Sequence, residues 1–253
     1  MALFEDDPIS QPLTYPGRVP ETSGVLADAA YVPLRAAPGR PVDEWRAGPE
    51  TVAELLARHG GAPLEGRHLV VAVGSNAAPS QLLRKFTDHG VRPLVPMTLA
   101  RVRDVAPGVS AHVSKWGYVP AAPIDTPGET SRLFALWLDE RQLAALDLTE
   151  PNYRREPLAH PIALESGVRR DAAVYWGRHG CLADGGGRPR RLTPQRALIG
   201  SLLDESSQLR LLCGDTPDEF VVNVRDDTVR EAVYRLLQDK HRINHGKVGP
   251  RDR

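Results

Sequence analysis

The sequence has few cysteines and no long apolar run. Its two thiols, Cys181 and Cys213, can neither form a disulfide framework nor build a zinc site from cysteine alone. The longest uninterrupted apolar run, residues 69–73, is far shorter than the roughly 20 residues that a membrane-spanning helix needs. The first eight residues are acidic and lack the apolar segment of a secretory signal. We therefore expect a cytoplasmic protein that does not associate with membranes.

An excess of one charge is also missing. The 253 residues contain 32 Lys and Arg against 32 Asp and Glu, so the formal net charge is zero. Proteins that hold nucleic acid depend on a positive field, and we expect no nucleic-acid partner. The phosphate-loop and dinucleotide-binding glycine patterns are absent as well. The sequence therefore predicts no metal site and neither of these two cofactor-binding loops.

Three regions follow one another along the chain. Residues 1–65 form a proline-rich arm with one short helix over residues 50–59, residues 66–245 form the main domain, and residues 246–253 form a basic tail. Seven prolines within the first 45 residues fit either a poorly ordered leader or an arm docked on its own domain or on a partner subunit. In the second case the aromatic residues Phe4, Tyr15, Tyr31 and Trp45 would be the anchors.

The main domain is predicted to be α+β. Residues 68–73 favour a buried strand, residues 81–86 a helix, and Asp139 with Gln142 a capping box that opens a second helix. The other predicted strands cover residues 91–99, 101–105, 109–118, 133–138, 153–164 and 168–176, with turns at Pro107-Gly108 and Pro127-Gly128. Helix starts are predicted at Thr193, near Asp215, and at Asp226 or Asp227.

Two segments contain residues suited to chemistry. The first is Val73-Gly74-Ser75-Asn76, where a strand runs into a helix. Glycine lets a ligand approach the backbone, and successive N–H groups before a helix attract an anion. A plain tight turn with a helix cap explains the same residues.

The second segment is centred on Glu150, between the capped helix and a strand that begins at Tyr153. A carboxylate at such a junction can point into a pocket, where partial desolvation would suit it to acid–base work. A surface glutamate, or one paired with Arg154 or Arg155, is the simpler interpretation of this residue alone.

Taken together, these segments resemble the gamma-glutamylcyclotransferase superfamily. Gly74-Ser75-Asn76 matches its loop after the first strand, and Leu146-Asp147-x-x-Glu150 followed by Tyr153 matches its second motif. The resemblance covers roughly residues 66–205 and extends to a strand that ends at Tyr175-Trp176. Val73 stands where the family usually has an aromatic residue, and Pro151 stands where glycine is common.

The resemblance implies a small β-barrel with flanking helices and a cavity at one end. It further implies that Glu150 is the acid–base catalyst, that Val73, Gly74, Ser75, Asn76, Tyr153 and Tyr175 bind the substrate, and that no cofactor takes part. The implied reaction is a lyase reaction on a small gamma-glutamyl molecule, which closes to 5-oxoproline and releases an amine or an amino acid. Two alternatives stay open: a catalytically silent binding or assembly protein of this fold, and an amide hydrolase or acyl transferase that uses the same cavity.

Overall fold

The structure, a computed structural model, describes residues 3–240 and 242–243. Within these residues the strands are β1 Gly24–Ala27, β2 Ala30–Pro33, β3 Arg46–Ala47, β4 Glu50–Thr51, β5 His68–Ala72, β6 Leu94–Val109, β7 Ala121–Leu138, β8 Tyr153–Pro157, β9 Ile162–Leu164, β10 Arg169–Arg170, β11 Ala173–Gly177, β12 Cys181–Leu182 and β13 Arg242–Ile243. The helices are α1 Val52–Arg58, α2 Pro79–Asp88, α3 Glu140–Leu148, α4 Gln195–Glu205, α5 Ser207–Cys213, α6 Pro217–Asn223 and α7 Asp227–Lys240. The expected α+β class is confirmed. The predicted tail, residues 246–253, lies outside the described residues.

One large mixed sheet organises the domain. Its strands run in the order β10-β9-β6-β7-β5-β11-β8, and β1 and β2 join it through β6. The β5–β11 pair is parallel, and the other pairs in the sheet are antiparallel. Among the described residues the ladders form an open path, so the closed barrel stays a prediction.

Both faces of the central strand β5 are covered. Val71 belongs to the apolar cluster that includes α1, whereas Val70 and Ala72 belong to the cluster that includes α2 and α3. Side chains alternate between the two faces of a strand, so a strand covered on both sides has a continuous apolar run. The buried strand predicted there is confirmed, and its end delivers the chain to the loop at Gly74.

Strands β6 and β7 are longer than predicted, with 16 and 18 residues. Pro107-Gly108 is not a turn, because both residues pair with β7 in register. Pro127-Gly128 belongs to an irregularity inside β7, opposite Asp104, where the register shifts between Arg103 and Val105. The predicted strand over residues 109–118 is wrong beyond Val109, because the next segment is irregular up to β7.

The arm lies against the sheet. Strand β1 pairs antiparallel with the first residues of β6, from Gly24 opposite Met97 to Ala27 opposite Leu94. Trp45 is fully buried in the cluster that includes α1. The arm therefore adds an edge to the sheet and part of its core.

Four helices, α4 to α7, follow β12 in the described part of the chain. They pack on one another and on the irregular segment between β6 and β7 around a separate apolar cluster. Helix α5, which the sequence analysis did not predict, begins where the side chain of Ser206 accepts a hydrogen bond from the backbone of Leu209. None of the helices in the described part of the chain is long and apolar enough to cross a membrane.

Candidate functional site

The loop after β5 depends on the small size of Gly74. Its backbone φ is −138°, which any residue can adopt. A Cβ atom there would lie 2.7 Å from the hydroxyl oxygen of Tyr15 and 2.8 Å from the Cβ of Ala121. The glycine is therefore required by the close approach of the arm and of β7. Ser75 then starts a single 3-10 turn that leads into α2.

Glu150 is held in an ion pair by a lysine from α2. Its Oε1 accepts a hydrogen bond of 2.6 Å from Lys85 Nζ and one of 3.0 Å from Asn76 Nδ2. Lys85 Nζ also donates to Asn76 Oδ1 at 2.8 Å, which closes a triangle of three side chains. The side chains of Lys85 and Glu150 are only 10% and 11% exposed. The carboxylate is thus charge-paired and largely removed from water.

Helix α3 and the turn that follows it set the position of Glu150. Helix α3 begins with the predicted capping box, in which Asp139 accepts from the backbone of Gln142 and the side chain of Gln142 accepts from the backbone of Asp139. After α3 the backbone N–H of Glu150 donates to Asp147, and the backbone carbonyl of Glu150 accepts from Tyr153. This turn fixes Glu150 between the helix and strand β8, opposite α2.

A cavity of about 290 Å³ opens beside the triangle. This volume lies at the lower end of the range for small-molecule sites, about 300 to 1,000 Å³. Its walls come from the arm, the loop after β5, helix α2, the segment before β7 and the turn after α3. Lining residues from these five elements and from the first residue of β8 include Tyr15, Ser75, Lys85, Tyr118, Glu150 and Tyr153.

Two tyrosines of the cavity wall, Tyr15 and Tyr153, form hydrogen bonds to the backbone of Ala121 through their hydroxyl groups. The backbone N–H of Ala121 donates to the hydroxyl oxygen of Tyr15 at 2.8 Å, and the hydroxyl of Tyr153 donates to the carbonyl of Ala121 at 2.8 Å. The ring of Tyr15 stacks on that of Tyr118 with centroids 4.4 Å apart. Burial raises the pKa of both Tyr15 and Tyr153 well above the ordinary value, so both are neutral phenols at neutral pH.

A chain of polar side chains continues from the cavity toward α7. His112 bonds Ser110 at 2.7 Å, Asn152 lies 3.4 Å from His112 and 3.1 Å from His179, and His179 bonds Tyr234 at 3.2 Å. Burial, with a smaller contribution from His179, lowers the pKa of His112 to about 3. His112 therefore lines the cavity as an uncharged imidazole.

The predicted site residues occupy different places. Ser75, Glu150 and Tyr153 line the cavity, and Asn76 bonds Glu150. Val73 packs against the apolar cluster that includes α1. The hydroxyl of Tyr175 donates to Asp147, whose pKa is lowered by its hydrogen bonds to Arg155.

Lys85 and His112 are not among the site residues predicted from the sequence, and Tyr15 is predicted only as an anchor of the arm. A lysine on an amphipathic helix is usually solvated, so nothing in the local pattern marks Lys85. Tyr15 and Ala121 are 106 positions apart, a separation that local patterns do not bridge. Among the described residues no cluster of three or more potential metal ligands is found.

No family model and no curated protein matches the chain. Solved structures with some likeness include a gamma-glutamyl cyclotransferase, at 15% identity, with 72% of this chain and 91% of that chain covered and a TM-score of 0.36. An uncharacterized human protein has 15% identity, with coverage of 73% and 92% and a TM-score of 0.36. A protein from Arabidopsis thaliana, known by a solution structure, has 13% identity and a TM-score of 0.32. That match covers 44% of this chain and 62% of the Arabidopsis protein.

Proposed function

We propose that the chain is a gamma-glutamylcyclotransferase-like lyase whose acid–base residue is Glu150. The observation that carries this proposal is the buried carboxylate of Glu150, held by Lys85 and Asn76 in the wall of a cavity of about 290 Å³. The Gly-Ser-Asn loop and the Leu-Asp-x-x-Glu segment, which resemble the family, meet at this hydrogen bond between Asn76 and Glu150. The motifs lie 74 positions apart, and their contact supports a common site.

The reaction needs one group that takes a proton and returns it. Glu150 removes a proton from the substrate's α-ammonium, and the free amine attacks its own γ-carbonyl carbon. A new C–N bond closes the five-membered ring, and the carbonyl oxygen becomes an oxyanion. The bond to the leaving nitrogen then breaks as Glu150 returns the proton to it. The carboxylate, free again, takes the excess proton from the ring nitrogen and passes it to the released amine, which gives neutral 5-oxoproline and an amine or amino acid with a protonated amino group. Between these steps the positive charge of Lys85 balances the negative charge of the buried carboxylate.

One observation favours the second candidate, a catalytically silent protein of the same fold. Lys85 already neutralises Glu150, and an ion pair of this kind also serves as a purely structural contact. In that case the cavity would bind a small molecule, or the surface a protein partner, without turnover. An amide hydrolase or acyl transferase that uses the same groups would differ by its product.

The test is product analysis with matched variants. Purified protein is incubated with a panel of gamma-glutamyl amino acids, dipeptides and amines, and 5-oxoproline is measured by mass spectrometry. We expect 5-oxoproline from the wild type, loss of most turnover in Glu150→Gln, and wild-type turnover in the control Glu140→Gln, whose side chain is exposed on α3. Full turnover by Glu150→Gln contradicts the role of Glu150. Free glutamate in place of 5-oxoproline indicates the hydrolase. If no substrate of the panel gives a product, the catalytically silent binding protein is favoured.

A further inference from the structure

The arm contributes a buried hydroxyl to the cavity. Tyr15 is 5% exposed and lines the cavity, although it lies about 60 residues before the loop that it touches. Two contacts hold Tyr15 in place. Its ring stacks on that of Tyr118. Gly17, two residues later, packs against Ala78, and a Cβ added at Gly17 would lie 3.1 Å from the Cβ of Ala78. The position of the Tyr15 hydroxyl is thus set by contacts on two sides.

The hydroxyl oxygen already acts as an acceptor. The backbone N–H of Ala121 donates to it at 2.8 Å. A phenol has one proton to donate and an oxygen that accepts. Because the protein supplies this donor, the proton of Tyr15 is available for a further acceptor. Burial keeps that proton in place at neutral pH, and the nearby charge of Glu150 acts in the same direction.

We propose that the hydroxyl of Tyr15 donates a hydrogen bond to the γ-carbonyl oxygen of the bound gamma-glutamyl group. This inference rests on the proposed function and extends it to a residue of the arm. The phenol keeps its proton throughout. As the α-amine attacks, the carbonyl π electrons move to the oxygen, and the hydrogen bond from Tyr15 strengthens with the developing charge. When the leaving nitrogen departs, the C=O bond forms again as the lactam carbonyl of 5-oxoproline.

Tyr15→Phe is the direct test, because it keeps the ring and its stacking on Tyr118. Tyr31→Phe is the matched control, since Tyr31 also belongs to the arm but its hydroxyl donates to the carbonyl of Thr22. Turnover is measured with the best gamma-glutamyl substrate, and binding of 5-oxoproline is measured by calorimetry. The second measurement does not need turnover, because the lactam oxygen is the former γ-carbonyl oxygen. We expect kcat to fall about 100-fold in Tyr15→Phe. The neutral carbonyl oxygens of substrate and 5-oxoproline accept the same hydrogen bond, so we expect KM to rise and the affinity for 5-oxoproline to fall, each by about fivefold. Tyr31→Phe should match the wild type.

The outcomes separate this inference from the proposed function. Unchanged kcat and unchanged 5-oxoproline affinity in Tyr15→Phe overturn the role of Tyr15 and leave the lyase intact. A wild type that turns over nothing but binds 5-oxoproline through Tyr15 overturns the lyase and supports the hydrogen bond. A wild type that neither turns over substrate nor binds 5-oxoproline overturns both. Higher turnover in Tyr15→Phe also overturns the role of Tyr15, because the hydroxyl would then be blocking the amides of the loop.

A second variant covers the case in which Tyr15→Phe does not fold. Replacing Tyr15 with 3-fluorotyrosine keeps the hydroxyl and gives a fluorine signal beside it. We expect the fluorine resonance of this otherwise wild-type protein to shift when 5-oxoproline is added. A resonance that stays unchanged at saturating 5-oxoproline overturns the contact.

Discussion

Lys85 Nζ lies 2.6 Å from Glu150 Oε1, and both side chains are about nine-tenths buried. A charge pair removed from water has a large desolvation cost, which its attraction recovers only with good geometry and further hydrogen bonds. Asn76 supplies those bonds, because its amide donates to Glu150 and its carbonyl accepts from Lys85. The three side chains therefore act as a unit, and removing one charge should affect the others.

Removing Lys85 alone should destabilise the fold. In Lys85→Met the carboxylate of Glu150 is left buried without its cation, and we expect the free energy of unfolding to fall by about 3–5 kcal/mol. The double variant Lys85→Met/Glu150→Leu should recover most of this loss, because no unpaired charge remains. Urea denaturation of the wild type, both single variants and the double variant gives the full cycle. A double variant no more stable than Lys85→Met would contradict the pairing.

Substituting Gly74 should displace the arm. Gly74→Ala places a methyl group 2.7 Å from the hydroxyl oxygen of Tyr15, and we expect a loss of about 1–3 kcal/mol in unfolding free energy through overpacking. Gly200→Ala is the matched control, since the site is inside α4 and, apart from the two neighbouring residues and the local backbone of that helix, no atom lies within 4 Å of the added methyl. There the same change should stabilise by about 0.5–1 kcal/mol. Protease cleavage in the arm should accelerate only in Gly74→Ala.

The neutral His112 should make the fold sensitive to mild acid. Its pKa in the folded protein is about 3, and the ordinary value is 6.5, so below pH 6.5 the unfolded chain binds a proton that the native state does not. The stabilisation is complete above pH 6.5 and is lost as the pH falls toward 3, by up to about 1.4 kcal/mol per pH unit. Unfolding free energies between pH 7 and pH 5 measure this slope above the range in which most carboxylates titrate. The slope should be shallower in His112→Gln, and equal slopes would exclude His112 as the cause.

Under the proposed lyase activity, Lys115 should influence which leaving group is accepted. It lines the cavity from an exposed position, with its ammonium 4.9 Å from the ring centre of Trp116. An exposed charge contributes up to about 1 kcal/mol to an ion pair. In Lys115→Gln we therefore expect KM to rise by up to about fivefold for gamma-glutamyl amino acids, which carry a carboxylate on the leaving group. KM for gamma-glutamyl amines should stay constant, and a rise common to both substrates would mean that the charge does not discriminate.

Structure is predictable from this sequence where a short segment contains its own structural signal. The capping box of Asp139 and Gln142 and the two-sided apolar run of β5 are such signals, and both predictions are confirmed. These two elements place Glu150 and the loop at Gly74. The contact between Glu150 and this loop could be expected only from the resemblance to the gamma-glutamylcyclotransferase superfamily, because it depends on how β5, α2 and α3 pack.

The turn predictions failed for a physical reason. Pro107 cannot donate to a sheet ladder, but it is tolerated where β6 pairs with Pro123 of β7, which has no N–H to donate either. Gly128 does have the positive φ of a turn, 84°, and its N–H donates to Asp104 at 2.7 Å. The predicted turn therefore exists, but it lies in the irregularity inside β7, and the strand predicted to begin at residue 133 begins at Ala121.

The pairing of β1 with β6 has a practical consequence for truncation experiments. In the intact chain the backbone of β6 from Leu94 to Met97 is paired with the arm. A protein that starts at residue 66 would expose that row of N–H and C=O groups, together with apolar side chains that are fully buried in the intact chain. Unpaired strand edges recruit other chains, and we expect such a truncated protein to aggregate through this edge. Point variants within the arm are therefore better than truncation for testing the role of the arm in the cavity, because they leave the edge of β6 paired.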